Sequence, residues 1–361
     1  MPILPRVLHF LLFLAAGLLV IGTFVTLLQV GWWAVRALDF PRLQIFVLCL
    51  VVAAALALTY RNGWPQDGWP RLGLALLVLT LAAAVYQAAR ILPYTRVWPR
   101  QVVTASDPGP DLRLMVANVL MDNRDASRLL AQIQASGADL VVFTEPDAWW
   151  AAQLRPLHGT YPHRVEVPLA NTYGMIVLSK HPLLDPQVKE LFEAGIPSVH
   201  TAIMVDSQRV ALRFVHPKPP APSEAKTTTK RDAELVVVAR EVAQVGMPAI
   251  VAGDLNDVAW SHSTRLFQRL SKTLDPRRGR GLFSTFHASY PFLRWPLDHV
   301  FHTEHFALVD LKRLDANGSD HLPIVVTLRF NPQAAAEQAP LTPESDDLDD
   351  AQEKVDDARN E

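Results

Sequence analysis

The sequence contains a single cysteine, Cys49, among 361 residues. One cysteine cannot form an intrachain disulfide and cannot alone build a cysteine-based metal cluster, so disulfide-stapled and zinc-ribbon-like scaffolds are excluded. The chain also has little net charge, −2 at pH 7. A nearly neutral chain lacks the electrostatic footprint of proteins that grip duplex nucleic acid through its phosphates.

Charged residues are missing from three long apolar stretches near the start of the chain, over residues 7–35, 43–60 and 72–89. A helix needs about 20 apolar residues to cross the hydrocarbon core of a bilayer. Trp32, Trp33, Trp64 and Trp69 stand at the ends of these stretches, as is typical of the bilayer interface. We therefore predict an all-helical membrane region over residues 1–91, with about three transmembrane helices, in an integral protein of a bacterial inner membrane.

Other interpretations of these stretches stay open from the sequence alone. The first stretch could be a cleaved signal peptide, although it is long and has no clear small-residue cleavage site. The three could instead be buried core helices, and the second could be re-entrant. The positive-inside rule gives only a small margin, so the side of the membrane that carries the remaining chain stays open.

Composition divides the rest of the chain into three parts. Residues 92–110 are rich in proline and polar residues, which is typical of a linker. Residues 111–332 offer ample length for one large core. Residues 333–361 carry ten acidic residues against two basic ones and almost no large apolar side chains. This composition predicts a disordered acidic tail.

Short apolar runs that end in polar residues recur along the central part of the chain. They cover residues 112–119, 138–147, 173–182, 201–206, 209–217, 248–256, 297–303 and 323–330. Helical spacing of apolar residues occurs between some of them, over 126–136 and 230–245. Many strands with fewer helices predict two packed sheets with helices outside, which is an α/β (α+β) domain.

Polar side chains that suit metal and phosphate stand where these runs stop. They are Asn118, Glu145, His216, Asp254, Asn256, Asp298, Asp320 and His321. Ligand and catalytic groups are common at strand ends, because a rigid sheet can aim them. Taken singly each is weak evidence, since an aspartate after glycine is usually a turn residue. Their recurrence within one domain predicts a common site.

Seven short pieces of sequence occur in an order that resembles the endonuclease/exonuclease/phosphatase superfamily, with its deoxyribonuclease-like fold. They are VANV, VVFTEPD, GMIVLSKHP, VHPKPP, VAGDLNDV, PLDHVF and GSDHLPIV, and they span the region from about residue 112 to 330. The G-D-x-N and S-D-H pieces are the most specific. The resemblance implies a four-layered α/β sandwich of two mixed sheets flanked by helices.

The resemblance implies a metal site. Glu145 would be the main ligand of a divalent cation, Mg²⁺ or alternatively Mn²⁺, because hard oxygen ligands suit these ions. Asn118 would support that site, and Asp320 would be a second carboxylate on the metal side.

The resemblance also implies catalytic roles for five residues. Asp254 would orient or deprotonate the attacking water. Asn256 would lie on the same face of an extended segment and donate to a phosphoryl oxygen. His321, oriented by Asp298, would be a base or phosphate contact, and His216 would be a second donor.

A basic and aromatic segment is a candidate for binding substrate. Arg277, Arg278 and Arg280 precede aromatic residues at 283, 286, 290, 292 and 295. Arginines with aromatics can hold phosphates and stack bases. The alternative is a solvated loop beside ordinary core aromatics.

These observations predict a membrane-anchored metal-dependent phosphoesterase. Activated water would attack a phosphodiester or phosphomonoester in line, with a lipid headgroup as one candidate substrate. The N-terminal helices would contact the lipid bilayer, and no protein partner is predicted. Two alternatives stay open: a nuclease that acts on DNA or RNA by the same mechanism, and a non-catalytic membrane binding module that kept the fold.

Overall fold

The computed structural model describes residues 3–61 and 70–361, with side chains from residue 6 onward. It forms two compact units, Met1–Pro93 and Tyr94–Glu361. Trp64 and Trp69, two of the predicted interface residues, lie outside the described residues.

The first unit is helical. Its helices are α1 (Ile3–Phe24), α2 (Trp33–Arg36), α3 (Arg42–Arg61) and α4 (Pro70–Ile91). Three segments are long and apolar enough to cross a membrane: Arg6–Leu28, Arg42–Arg61 and Pro70–Tyr94. The first apolar stretch of the sequence is longer than its helix, because a 3₁₀ turn over Val25–Leu28 ends at Gln29 in the left-handed conformation.

The second unit contains two mixed sheets. The first sheet has the order β10-β11-β1-β2-β4-β3 and the second β5-β6-β7-β8-β9. The strands of the first are β1 (Asp111–Asn118), β2 (Leu140–Thr144), β3 (His163–Val167), β4 (Met175–Ser179), β10 (Phe306–Arg313) and β11 (Ile324–Phe330). Those of the second are β5 (Leu184–Lys189), β6 (Ser198–Val205), β7 (Gln208–Phe214), β8 (Ala249–Asp254) and β9 (Asp298–His302).

Four helices cover the outer faces of the sheets: α5 (Ser127–Ser136), α6 (Ala148–Leu154), α7 (Thr229–Gln244) and α8 (His262–Ser271). A further helix, α9 (Asp347–Asn360), packs on the outside of α7 and α8. One apolar cluster fills the space between the sheets, a second joins α5 and α6 to the first sheet, and a third joins α7 and α8 to the second. The domain is therefore the predicted four-layered α/β sandwich, with each sheet burying both faces.

Three strands, β3, β5 and β10, are absent from the sequence prediction. All three lie at sheet edges. An edge strand pairs on one side only and tolerates polar and charged residues, so its apolar alternation is weak. The segment LDPQVK of β5 shows this, since its four central residues are exposed.

The acidic tail differs from the predicted disorder. A 3₁₀ turn, Pro332–Ala336, is followed by α9, which buries Ala351, Val355 and Ala358 against α7 and α8. A buried ion pair joins Arg269 of α8 to Asp347 at 2.7 Å. The acidic average composition of the tail does not reveal these three apolar residues, which stand at helical spacing. The apolar surface of α7 and α8 is enough to order a helix that carries them.

The predicted linker is also packed against the second unit. Tyr94 is buried, and its hydroxyl donates to the carbonyl oxygen of Ala259 at 2.6 Å. Val102 belongs to the apolar cluster between the sheets. Prolines and polar residues predict an irregular segment, but they do not predict whether that segment is free or docked.

Candidate active site

The site lies where the parallel strands of the two sheets end. Each sheet contains one parallel pair among the described strands, β1 with β2 and β7 with β8. Alternate residues of these strands face the other sheet, among them Val116 in β1 and Ala252 in β8. Two residues further along, the same alternation turns Asn118 and Asp254 inward. Asn118 Nδ2 donates to Asp254 Oδ2 at 3.1 Å across the two sheets.

Glycine is required where β8 approaches the strand that leads to His216. Gly253 has a φ of +144°, and a Cβ added there would lie 2.0 Å from the carbonyl oxygen of Val215. A larger residue would push the two chains apart. The apolar run that ends in Gly-Asp therefore places Asp254 beside the end of β7.

Glu145 follows β2 and leaves the alternation of the strand. Its φ of +65° is in the left-handed region, which is uncommon for a residue with a side chain. The carboxylate accepts from Asn118 Nδ2 at 2.7 Å, and its backbone NH donates to Gly174 at 3.0 Å. Burial raises the pKa of Glu145, while His216 and the hydrogen bond from Asn118 act against this rise. A strained, partly buried carboxylate that contacts another site residue is a functional candidate.

Asp254 is the centre of the cluster. It is almost fully buried, and its Oδ1 accepts from the backbone NH of Asn256 at 2.9 Å. Burial raises its pKa, Asp298 raises it further, and His321 and His216 lower it. Two buried carboxylates in one cleft destabilise each other's charged form unless a cation lies near.

His321 is held by Asp298. Its Nδ1 lies 2.7 Å from Asp298 Oδ2, and its Nε2 lies 3.6 Å from Asp254 Oδ2. Burial lowers the pKa of His321, but Asp298 and Asp254 outweigh it and raise the pKa to about 10. The ring of Phe286 packs on the imidazole with centroids 4.9 Å apart. This pairing fixes the orientation of the ring, with one nitrogen bound and the other facing Asp254.

His216 also reaches the cluster. Its Nδ1 lies 3.2 Å from the carbonyl oxygen of Asp254 and 3.9 Å from its carboxylate. The ring of Tyr173 lies beside the imidazole, with centroids 5.6 Å apart. Tyr173 is not among the predicted site residues, because an aromatic residue before a buried strand gives no indication in the sequence of the histidine that it contacts.

Asn256 differs from the extended geometry expected for it. The strand ends at Asp254, and Asn256 has a φ of +51°. Its Nδ2 donates to the carbonyl oxygen of Pro217 at 3.0 Å, and its own carbonyl accepts from Arg231 at 2.9 Å. Arg231 is a buried residue of α7, and its contact with Asn256, 25 positions away in the chain, was not predicted.

Asp320 adds a carboxylate next to His321. Asp320 is one of the charges that raise the pKa of His321. Among the described residues its Oδ1 is buried without a hydrogen-bond partner. The same holds for Asp298 Oδ1. A buried carboxylate oxygen without a partner is costly, so each implies a group that the chain itself does not supply.

The donor set fits a divalent cation. Ligand atoms of Glu145, His216 and Asp254 all lie within 4.8 Å of one another, as do those of Asp254, Asp298 and His321. Buried carboxylates with raised pKa values and the orphaned oxygen of Asp320 are the chemistry that a hard cation satisfies.

The three arginines predicted to bind substrate are placed differently. Arg277 is buried, and it binds both carboxylate oxygens of Asp275 and lies 2.6 Å from His299 Nδ1. Arg278 lies over the ring of Tyr94, and Arg280 donates to the carbonyl oxygen of Val102 at 2.6 Å. Arg277 therefore contacts β9. Arg278 and Arg280 contact the segment that begins at Tyr94, which is docked rather than free.

Solved structures of similar fold share little sequence with this chain. An endonuclease/exonuclease/phosphatase from Beutenbergia cavernae DSM 12333 is 23% identical, with a TM-score of 0.50 over 62% of this chain and 72% of that chain. The human Nocturnin catalytic domain with bound sulfate anion is 16% identical, with a TM-score of 0.50 over 63% and 97%. Sphingomyelinase C from Streptomyces griseocarneus is 16% identical, with a TM-score of 0.46 over 60% and 99%. At such identities the first two show a shared fold.

A comparison with protein families gives a more specific result. No curated protein has a sequence that matches this chain. Residues 115–321, however, match the profile described as the Endonuclease/Exonuclease/phosphatase family. Members of that family hydrolyse phosphoester bonds and are typically dependent on divalent metals. Because the match covers more than half of the 361 residues and includes the whole cleft from Asn118 to His321, the chain belongs to the Endonuclease/Exonuclease/phosphatase family.

Proposed function

We propose that this protein is a membrane-anchored, divalent-metal-dependent phosphoesterase that hydrolyses the headgroup of a membrane lipid. The observation that carries the proposal is the convergence of Glu145, Asn118 and Asp254 with the His321–Asp298 pair in one cleft. These five residues come from the ends of five different strands, and their donors and acceptors match what phosphoester hydrolysis requires.

Glu145, Asn118 and Asp320 are the residues that would hold the cation. By donor type the ion is Mg²⁺, with Mn²⁺ as an alternative. When bound, it would act as a Lewis acid and neutralise charge that develops on the phosphoryl oxygens.

The remaining residues would position the nucleophile and the phosphoryl group. Asp254 is anchored by Asn118 and the NH of Asn256, so its carboxylate can orient a water and accept its proton. Asp298 fixes His321 so that Nε2 faces the cleft and can donate to a phosphoryl oxygen. His216, whose Nδ1 also lies near the Asp254 carboxylate, would donate to the leaving oxygen.

The segment next to His321 favours a lipid substrate. Phe286 packs on His321, and the chain that follows exposes Tyr290 by 58%, Phe292 by 89% and Leu293 by 50%. The backbone NH of Ala288 in this segment donates to the backbone carbonyl oxygen of Asp320 at 2.6 Å. Large apolar side chains exposed side by side are unusual on a soluble surface and are typical of a surface that meets a membrane. The three apolar helices of the first unit would hold this surface at the bilayer.

Activity of the full chain tests the proposal. The protein in neutral detergent should hydrolyse phospholipid in mixed micelles and a soluble aryl phosphodiester with Mg²⁺, and EDTA or Glu145→Gln should abolish both reactions. Glu353→Gln, on the exposed face of α9, is the matched control and should leave both rates unchanged.

The same panel separates the alternatives. Activity that survives both EDTA and Glu145→Gln would refute the metal mechanism. Cleavage of plasmid DNA without turnover of phospholipid would assign a nuclease. Metal binding without turnover of any phosphoester would assign a binding module.

A further inference from the structure

A second pocket, which we call the basic pocket, lies outside the candidate active site. It has a volume of about 450 Å³. It is lined by Arg96, Arg280, Gly281, Phe283, Lys312, Arg313 and Leu314. Four of these side chains are cationic, and none of these described lining residues is acidic.

Neutral oxygens, rather than carboxylates, hold the arginines that shape this pocket. Arg280 donates to the carbonyl oxygens of Pro276 and Val102 at 3.2 and 2.6 Å. Arg313 donates to the carbonyl oxygen of Ser284 at 2.8 Å. These bonds fix the guanidinium groups without cancelling their charge. Among the residues that line the pocket, Lys312 forms an ion pair with a carboxylate: its Nζ lies 2.6 Å from Asp310 Oδ2.

Further cations lie around the same pocket. Burial and the charge of Arg100 lower the pKa of Arg280 to about 10. Burial and Arg294 lower the pKa of Arg313, with Asp315 acting in the opposite direction. Like charges held together in partial burial are unfavourable, and an anion in the pocket relieves that repulsion. The fixed forks of arginine match the oxygens of a phosphate group in particular.

The position of Arg96 in the chain indicates where the anion comes from. Arg96 is five residues after Ile91, the last residue of α4. Five residues span at most about 18 Å when fully extended, so covalent connection alone keeps Arg96 near the end of an apolar helix. Basic residues just beyond such a helix attract anionic lipid headgroups. Phe283 and Leu314 add an apolar wall suited to the glycerol part of a lipid.

We propose that the basic pocket binds the phosphate group of an anionic phospholipid headgroup. The pocket would hold the catalytic unit against an anionic bilayer. None of its residues belongs to the candidate active site, so the proposal rests on the membrane anchoring in the proposed function but not on the proposed hydrolysis.

Binding of short-chain lipids to the full chain tests this proposal. Calorimetric titrations in neutral detergent would compare dihexanoyl-phosphatidylglycerol, dihexanoyl-phosphatidylcholine and inorganic phosphate. Asp254→Asn is the common background, so that turnover does not distort the heats. We expect phosphatidylglycerol to bind at least about tenfold more tightly than either of the others, because only this ligand combines net charge with a glycerol moiety.

Paired variants locate the binding. Arg96→Ala with Lys312→Ala removes two exposed cations of the pocket and should weaken phosphatidylglycerol binding at least about tenfold. Arg128→Ala with Arg155→Ala removes two exposed cations elsewhere and should leave it unchanged. Equal affinity in the two double variants would overturn the proposal. Inorganic phosphate binding as tightly as phosphatidylglycerol would assign the pocket to soluble phosphate and overturn the lipid assignment.

Discussion

The two units bury charge in opposite ways. In the helical unit, Asp39 is buried between Arg36 and Arg42, and Arg42 continues to Gln87 at 2.9 Å. The one acid of that cluster therefore lies between two arginines of the chain, and Arg36 Nη2 and Arg42 Nε have no hydrogen-bond partner among the described residues. In the second unit, Glu145, Asp254 and Asp298 converge on histidines, and the carboxylate atoms Asp298 Oδ1 and Asp320 Oδ1 have no hydrogen-bond partner among the described residues.

The contrast separates structural charge from functional charge. A buried acid that is paired with arginines of the chain fixes how helices pack, and it gains nothing from an added cation. A buried acidic set that the chain leaves under-neutralised is held by the rigid sheets, and it becomes favourable when a cation enters. The same substitution, acid to amide, should therefore have different consequences in the two units.

The largest effect is expected at Glu145. Glu145→Gln keeps the shape and removes one charge, so turnover should fall by about 10³-fold while the thermal midpoint stays equal or rises. Initial rates and thermal unfolding of the full chain in detergent check this. If Glu145→Gln lost activity only because it unfolds, Glu145 would be a structural charge like Asp39, and the two units would not differ in the role of their buried acids.

Asp39→Asn should do the reverse. Removing the acid from the buried Arg36–Asp39–Arg42 set leaves two buried cations, and breaking such a set costs about 3–5 kcal/mol. The thermal midpoint should fall, whereas turnover per folded molecule should be unchanged. Asp185→Asn is the matched control, because its ion pair with Arg209 is exposed and is worth less than about 1 kcal/mol. Equal losses in both variants would contradict the prediction.

Glu234 in α7 sharpens the comparison, because it is a buried acid whose Oε1 has no hydrogen-bond partner among the described residues. Burial raises its pKa from 4.5 to about 8. Its folded-state pKa is raised, so its contribution to stability is full below pH 4.5 and is lost as pH rises towards 8. Glu234→Gln should raise the thermal midpoint by a few degrees at pH 8.5 and by less at pH 5. A shift of the same size at both pH values would mean that Glu234 has an ordinary pKa.

The smallest effect is expected at Phe292. Phe292→Ser should leave the thermal midpoint and the turnover of a soluble aryl phosphodiester unchanged, since the side chain is exposed. Turnover of phospholipid in vesicles should fall by about tenfold, because an aromatic side chain that would enter the interface is lost. Equal losses on both substrates would place Phe292 in folding or in the chemistry.

Part of the site could be predicted from strand alternation. Asn118, His216, Asp254 and Asp298 each continue the inward parity of their strand, so a two-residue period points them between the sheets. Glu145 could not be placed in this way, because its left-handed backbone turns it out of register with β2. Family resemblance, rather than periodicity, identified it.

The parts that were missed depend on contacts between distant segments. The edge strands carry polar residues, so their pairing is set by neighbours rather than by their own pattern. Arg277 and Arg280 were predicted to bind substrate, but Arg277 instead donates to the carbonyl oxygen of Asp298, and Arg280 to the carbonyl oxygen of Val102 in the docked segment. Local composition indicates which contacts a segment can make when it is exposed to solvent. Packing against distant parts of the chain determines which contacts it makes in the folded protein.

The ordered tail has a practical consequence for protein engineering. The acidic composition of the tail suggests a truncation at residue 332. Such a truncation would remove α9 from the surface of α7 and leave the buried guanidinium of Arg269 without its partner Asp347. Such a fragment would lose stability for reasons unrelated to the candidate site. A version of the chain without the apolar helices should begin no later than Tyr94 and retain the last helix.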